Sequence, residues 1–453
     1  FNSKIHDPSK VRAVVFDDGV KRVALVGIDA LMIRGVTVSD VRKEIESRCG
    51  IPADAIMIGA SHSHSSGPTG MILPGEYDFA DAFVQSLAYD KSSCANGKYL
   101  DLVKKQLVDA VCRANDIRGE VISGIGRGVE NKVAFNRRFR MKNGLSFTHP
   151  GQLNPDIIKP AGPIDPEVGV MGVWNKDGKC IGCVINYACH ATCNPDGSSA
   201  NWIFYLEQTI RGAVGQDCVV VFLQGACGDI TQVNNLNPHL NPKGEDWSRL
   251  VGATIGAEAV KVLLSMPRGE LFPVDTKTIT KLMKRRPPSA QKVKNAYELL
   301  RKEPGAIGNT NWIFAKETVL LDAMIKKEPQ VSVEVQAIQV GPAVFVSNPS
   351  EFFCELGLAI KAKSPFPFTF PVELANDCVG YVPTEEAFGP HGGGYETRLT
   401  SYSNLEITAG TKMVEMGVSL ARQLKPGKIP EAPKAAPFRS HPWEYGFVKP
   451  ELD

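Results

Sequence analysis

The sequence predicts an α/β fold with a mixed β-sheet core and flanking helices, and three observations carry that reading. Apolar runs of strand length recur along the chain, as at residues 55–60 and 219–223. Segments with apolar residues at helical spacing lie between them, such as Val293, Ala296, Tyr297 and Leu300. Turn formers separate the two kinds of segment, so strands and helices alternate along the chain instead of grouping.

In chain order, residues 12–16 and 23–31 are expected to pair as a hairpin about the turn Asp17-Asp18-Gly19. A helix is expected from about Ser39, with Val38, Val41 and Ile45 on one face and Gly50 closing it. The run 55–60 reads as a buried strand ending at His62. A helix over 100–115 leads into further strands, including a hairpin about the turn 175–178. Residues 202–214 read as a helix and 218–223 as a buried strand. Ser289 is expected to cap the helix that carries Val293 to Leu300, and another helix covers about 312–327. Strands over 331–340 and 343–347 are expected to form a hairpin. From Pro426 the chain is rich in Pro, Lys and Ala, so residues 1–425 are expected to form one domain and 426–453 an extended tail over its surface.

Hydrophobic residues make up 43% of the 453 and charged residues 22%, the balance of a soluble globular chain. Fifty-one Lys and Arg against 49 Asp and Glu give no sign of a nucleic-acid or membrane-surface partner. The densest basic run, Lys281 to Arg286, precedes Pro287-Pro288 and reads as a solvated turn. No apolar run is long enough to form a transmembrane segment, and the first residues carry no signal-peptide pattern. Eleven cysteines, mostly inside apolar runs, are expected to be free buried thiols, which favours a reducing, cytoplasmic compartment. Cys180, Cys183, Cys189 and Cys193 have the look of a metal cluster. On a strand, however, positions three apart face opposite sides, so Cys180 and Cys183 are not expected to chelate together.

Residues capable of chemistry collect where the apolar runs end. The run 55–60 ends at His62 and His64, and continued strand geometry would aim both imidazoles into one space. Two converging neutral imidazoles suit a transition metal, zinc first. The run 183–188 ends at His190, 219–223 leads to Gly228-Asp229-Ile230-Thr231, and 343–346 leads to Ser350-Glu351. Ligands of α/β folds bind at the carboxyl ends of strands, so these clusters are expected to share one crevice. Two histidines and a carboxylate with one open position form a catalytic zinc set. It brings a bound water towards a pKa of about 7 and polarises a carbonyl, which suits amide or ester hydrolysis. A neighbouring histidine could move the proton.

The ordered motifs resemble the neutral (alkaline, non-lysosomal) ceramidases and their bacterial relatives. Ser61 to Pro68 is similar to the family's Thr-His-Thr-His-Ser-Gly-Pro, and Phe135-Asn136-Arg137-Arg138 to its Asn-Arg element. Cys189-His190-Ala191-Thr192 resembles its second histidine motif. Gly228-Asp229-Ile230-Thr231 resembles its Gly-Asp-Val-Ser, and Pro349-Ser350-Glu351 its Pro-Gly-Glu. Asn376 to Val382, followed by Tyr395-Glu396, is similar to its Asn-Asp…Tyr-Val…Tyr-Glu-Gly stretch. The order matches, and the resemblance spans roughly residues 5–425. It implies zinc held by His62, His190, Glu351 and Tyr381, with His64 as the acid/base partner beside the metal. Tyr395 and Arg137 would stabilise the oxyanion or bind polar substrate groups, and Asp229 would hold Arg137 or a substrate hydroxyl. Thr231 stands where the family has serine, and belongs to the same expected catalytic group.

The resemblance further implies an amide substrate of the N-acyl sphingosine type, lipid-like or small, and a place in sphingolipid metabolism. Relatives are often exported, so secretion or a periplasmic location stands against the cytoplasmic reading of the cysteines. Departures bear on the substrate more than on the metal. Gln232-Val233 replaces the family's Pro-Asn, Ser350 replaces its glycine, and the immunoglobulin-like C-terminal domain and the opening strand are expected to be missing. No contiguous apolar segment stands out as the lining of an acyl pocket. A polar or carbohydrate-derived substrate, a metal-dependent esterase or phosphatase, and a non-catalytic binding protein with a structural metal are the alternatives.

Overall fold

The computed structural model describes residues 4–302, 308–436 and 443–453. Strands β1 (Val11–Asp17) and β2 (Arg22–Ile28) form the expected hairpin, with Asp17 opposite Arg22 at its end. Helix α1 (Gly35–Cys49) buries Val38, Val41 and Ile45 and stops at Gly50. Gly50 has φ 67°, a left-handed closure that glycine adopts without steric cost. Strand β3 (Ile56–Ala60) then lies parallel to β2, every residue buried.

Helices α2 (Ala82–Tyr89) and α3 (Gly97–Asp116) follow. Strands β4 (Ile122–Val129), β5 (Phe135–Asn136), β6 (Arg138–Met141), β7 (Ser146–Thr148) and β8 (Ile157–Pro160) come next. Strands β9 (Glu167–Trp174) and β10 (Cys180–Tyr187) form the hairpin expected about residues 175–178. Helix α4 (Trp202–Val214), strand β11 (Val219–Gln224), strand β12 (Ile230–Thr231) and helix α5 (Gly244–Ser265) lead into the second half. That half contains β13 (Arg268–Gly269), β14 (Val274–Lys284), α6 (Ala290–Leu300), α7 (Asn309–Lys327), β15 (Gln330–Val340) and β16 (Ala343–Asn348). It continues with β17 (Glu351–Phe352), α8 (Cys354–Lys363), β18 (Phe368–Glu373), β19 (Tyr381–Val382) and α9 (Ala409–Arg422). Ser289 caps α6 as expected, accepting from the Lys292 N–H.

The sheets are mixed, as the sequence predicts. The largest runs β11-β10-β9-β4-β13, and the others of three strands or more run β14-β15-β16-β18, β1-β2-β3 and β7-β6-β8. Three parallel pairs matter for function: β2 with β3, β10 with β11, and β16 with β18. Their buried faces meet in one core, where Leu25, Ile58, Leu223, Phe345 and Phe370 pack together. Each such side chain stabilises the fold by about 1.5–3 kcal/mol through burial. Links between the strand ends pull the exits of these pairs to one place. The Ala60 N–H donates to the Leu374 carbonyl, the Asn376 N–H to that of Ile58, and Gln224 Nε2 to those of Ser61 and Cys189.

Two expectations are corrected. Lys281 to Arg286 is no solvated turn: Lys281–Lys284 close the long strand β14, paired with β15 throughout. Arg285 and Arg286 then bind Asn404 and the Leu405 carbonyl, and Arg286 lies over the Phe388 ring. The 22-residue helix α5 stands where no element was expected. All eleven cysteines are free, and no cysteine group among the described residues is arranged to hold a metal. No helix among the described residues is long and apolar enough to cross a membrane. From Pro426 to residue 436 the chain has no helix or strand, and its Gly427 N–H donates to the Gly341 carbonyl. Residues 437–442 of the expected tail lie outside the described residues.

Candidate metal centre

The loops leaving β3, β10, β16 and β18 bring His62, His190, Glu351 and Tyr381 together. Strand β3 stops at Ala60, and His62 has φ 60°, so the two histidines of the His-x-His pair do not converge by strand alternation. A left-handed step, sparsely populated for any residue but glycine, turns His62 back towards His64. Their Nε2 atoms lie 3.2 Å apart. Strands β17 and β19 pair in parallel with Glu351 opposite Tyr381, which sets these two side chains side by side.

Backbone carbonyls fix the imidazoles. His62 Nδ1 is 2.9 Å from the Leu31 carbonyl, and His190 Nδ1 is 2.7 Å from that of Cys227 and 3.0 Å from that of Ile230. A carbonyl only accepts, so each Nδ1 carries hydrogen and a neutral ring presents a bare Nε2 lone pair. Both Nε2 atoms point at one carboxylate oxygen, Glu351 Oε2, at 3.2 Å from His62 and 3.3 Å from His190. His190 Nε2 and Glu351 Oε2 are buried without a hydrogen-bond partner. Acceptors facing each other in a dry interior repel unless a cation lies between them. One ring nitrogen from each of His62, His64 and His190 lies within 4.8 Å of the other two, a group able to hold a metal ion. A divalent metal therefore fits these residues.

The electrostatics ask for the same cation. Burial opposes charge on Glu351, yet His62 and His190 hold its carboxyl well below the usual range. Burial likewise opposes charge on His62, yet Glu351 pulls its pKa above the ordinary value. His190 is pushed far down, first by burial and then by Arg137. His64 is pushed down to about 3 by desolvation and by His62, although its outer edge is exposed. It is neutral at the mouth of the site.

Arg137 is buried under the centre and donates to Glu396 Oε1 (2.6 Å), the Gly228 carbonyl (2.8 Å) and Tyr381 Oη (3.1 Å). Burial and the Glu351 charge push the Tyr381 phenol well above its ordinary pKa, with Arg137 opposing. Tyr395 is 40% exposed, its ring edge-on to Tyr381 with centroids 5.4 Å apart. The expected contact of the Asp229 side chain with Arg137 is absent. Asp229 instead accepts from Asn136 Nδ2 (2.7 Å) and the Cys354 N–H (2.9 Å), and the Arg137 N–H donates to its carbonyl (2.9 Å). The guanidinium partner is Glu396. The Thr231 hydroxyl accepts from the Val233 N–H, within the two-residue strand that carries the Ile230 carbonyl.

Sequence reasoning missed Glu373. It is buried at the end of β18, with Oε2 accepting from the N–H groups of Cys227 (2.8 Å) and Phe352 (3.0 Å) and Oε1 2.9 Å from Cys227 Sγ. One carboxyl group thus ties the loop that holds His190 to the strand that carries Glu351. A glutamate ending the apolar run 368–372 follows the pattern of the other site residues, and that signal could have found it. Glu396 was visible only as the neighbour of Tyr395.

No protein-family model matches this sequence, and no curated protein matches it. Solved structures do. One described as a ceramidase complexed with C2 superposes with a TM-score of 0.67 at 18% identity, over 94% of this chain and 71% of that one. The neutral ceramidase from Pseudomonas aeruginosa gives a TM-score of 0.66 at 18% identity, over 93% and 70%. Over nearly its whole described length, this chain therefore has the fold of the neutral ceramidases, as its ordered motifs imply.

Proposed function

We propose that this chain is a zinc-dependent hydrolase that cleaves an amide bond, with His62, His190, Glu351 and Tyr381 holding the metal. The observation that carries the proposal is the meeting of two imidazole Nε2 lone pairs on one buried carboxylate oxygen, each ring anchored through Nδ1 by carbonyls. The fold shared with structures named as ceramidases supports the hydrolase reading and an N-acyl substrate.

Bound zinc would lower the pKa of a water towards about 7 and polarise the substrate carbonyl. The chain supplies the rest. His64, exposed at the mouth with Nε2 3.2 Å from that of His62, stands where a proton would pass to the leaving amine. Arg137, held by Glu396 and reaching the Tyr381 hydroxyl, directs positive charge to where oxyanion charge develops. The Tyr395 hydroxyl, 3.1 Å from that of Tyr402, offers a second donor on the exposed side. Asp229 and Asn136 hold the Arg137 loop against α8, and the Thr231 backbone pairs with Phe135 beside the Ile230 carbonyl that meets His190.

A metal assay with a turnover assay tests this. Wild-type protein should carry one zinc and hydrolyse short N-acyl amides, and His62→Ala should lose both. Full zinc occupancy and unchanged turnover in His62→Ala would overturn the ligand set. Amide, ester and phosphoester substrates run in parallel decide the bond class.

A further inference from the structure

The turn that carries His62 and His64 is braced from outside the metal centre. A residue other than glycine at φ 60° persists only where its surroundings over-determine it. Before His62, the Ser61 N–H donates to the Ile28 carbonyl (2.9 Å). After it, the Ser63 N–H donates to the carbonyl of Ala30 (3.2 Å) and the His64 N–H to that of Ala191 (3.1 Å). Ser199 closes the far side. Its carbonyl accepts from Ser63 Oγ at 2.7 Å, and its N–H donates to the Ser65 carbonyl at 2.9 Å. Ser63 sits between the two histidines and Ser65 follows the second, so Ser199 grips the turn on both sides of His64.

Ser199 is held in its turn by residues 4–7. Ile5 pairs with Ser198 in parallel, and the His6 and Asp7 N–H groups donate to the Ser198 carbonyl at 2.8 and 3.3 Å. Asp7 is only 3% exposed, and its carboxyl group gathers three neighbours. Oδ1 accepts from the Ala200 N–H (2.8 Å), while Oδ2 accepts from the Ser199 hydroxyl and lies 3.0 Å from His6 Nδ1. Ser199 Oγ also accepts from the Asn201 N–H at 2.8 Å, which leaves its hydrogen to Asp7. In a dry interior such bonds are costly to leave unmade, so a break at Asp7 frees groups that have no water to turn to. The connected path runs from Asp7 to Ser199, and from Ser199 to Ser63 and Ser65.

We propose that Asp7 is a positioning residue of the metal centre, which sets the His62-Ser63-His64 turn through Ser199 and so keeps the two imidazoles together. The inference rests on the zinc-hydrolase reading for its consequence, tighter metal binding, and on hydrogen bonds alone for the brace itself.

Hydrogen exchange of the full chain, read by mass spectrometry with chelator present, tests the brace without any metal. Asp7→Ala should speed exchange in peptides spanning residues 61–66 by about tenfold or more, the scale of a lost buried hydrogen bond, while those of β15 and β16 keep their rates. Ser199→Ala removes only the linking hydroxyl and leaves the backbone bonds to Ser63 and Ser65, so it carries the same test should Asp7→Ala fail to fold. Unchanged exchange, or a rise shared by every element, would overturn the proposal. Competition with a chromogenic chelator reads the consequence. Each variant should bind zinc about 10–100-fold more weakly than wild type, and the double variant no more weakly than the weaker single one, because one path carries both losses. Losses that add would mean that Asp7 acts by another route, and wild-type zinc affinity in both variants would refute the role. A wild type that holds no zinc sinks the hydrolase reading by itself and leaves exchange to decide the brace.

Discussion

His62 reaches the site through a backbone conformation that its sequence context does not announce. The His-x-His spacing was readable and the convergence of the rings was anticipated, but the cause differs, because φ 60° at His62 replaces strand alternation. Glu373 is the residue whose chemistry can be tested most directly. Burial pushes its pKa up to about 8, which favours the neutral form near pH 7, and glutamine is the near isostere of that form. Glu373→Gln should hold zinc nearly as tightly as wild type. Glu373→Ala, which frees the Cys227 and Phe352 N–H groups, should lose about 10–100-fold, the usual effect of removing an outer-shell support. Competition with a chromogenic chelator measures both, and a Gln variant as weak as Ala would mean that the carboxylate is ionised. Asp229 supplies a pH test. Burial raises its folded pKa to about 6 against an ordinary 3.8, so between these values the folded state holds a proton that the unfolded state has released. Stability from this group is present below 3.8 and lost as pH rises towards 6, at up to about 1.4 kcal/mol per pH unit. Relative to wild type, Asp229→Asn should gain stability steadily from pH 4 to 6 in denaturant titrations. A difference independent of pH would refute the shift.

Among the elements, those with strong periodicity were legible and those shaped by close packing were not. Helix α4 and the strand β10 that delivers His190 were foreseen, because their apolar spacing is local information. Helix α5 was not, because Gly252 and Gly256 lower its helix propensity. The structure explains those glycines by contact. A Cβ on Gly252 would stand 2.1 Å from the Trp202 carbonyl oxygen, and one on Gly256 would stand 2.8 Å from Thr209 Cβ. The two helices touch backbone to backbone at Gly252 and backbone to side chain at Gly256, and Trp202 in turn donates its indole N–H to the His190 carbonyl at 3.0 Å. Gly252→Ala should therefore destabilise the protein by about 1–3 kcal/mol through overpacking, against a helix-propensity gain of about 1 kcal/mol. Urea unfolding measures the change, and a stabilised variant would mean that α4 and α5 are free to move apart. Strand β14 was missed for another reason: its Lys residues suggested a solvated turn, although Thr276, Thr278 and Thr280 alternate as a strand requires.

Across the whole molecule, the candidate ligands come from residues 62, 190, 351 and 381, and no local pattern links them. Periodicity predicts strands but not their neighbours. That β3 meets the loop after β18, through Ile58 and Asn376, is a long-range fact that only the ordered motifs hinted at. The same dispersal makes the metal a cross-link of the fold. Zinc that binds only the folded state stabilises it in proportion to RT ln(1 + [Zn]/Kd), about 4 kcal/mol at a thousandfold excess over Kd. Without the cation, Glu351 and the two imidazole lone pairs face each other in a dry interior, so the apo centre carries a cost that the filled one does not. Chelation should accordingly lower the melting temperature of the wild type by several degrees, and re-addition of zinc should restore it. His62→Ala, which removes one acceptor and one ligand together, should melt at the same temperature with and without chelator. Differential scanning calorimetry decides the matter. A wild type indifferent to chelation would mean that the four loops are held by the surrounding backbone hydrogen bonds alone and that this site binds no metal.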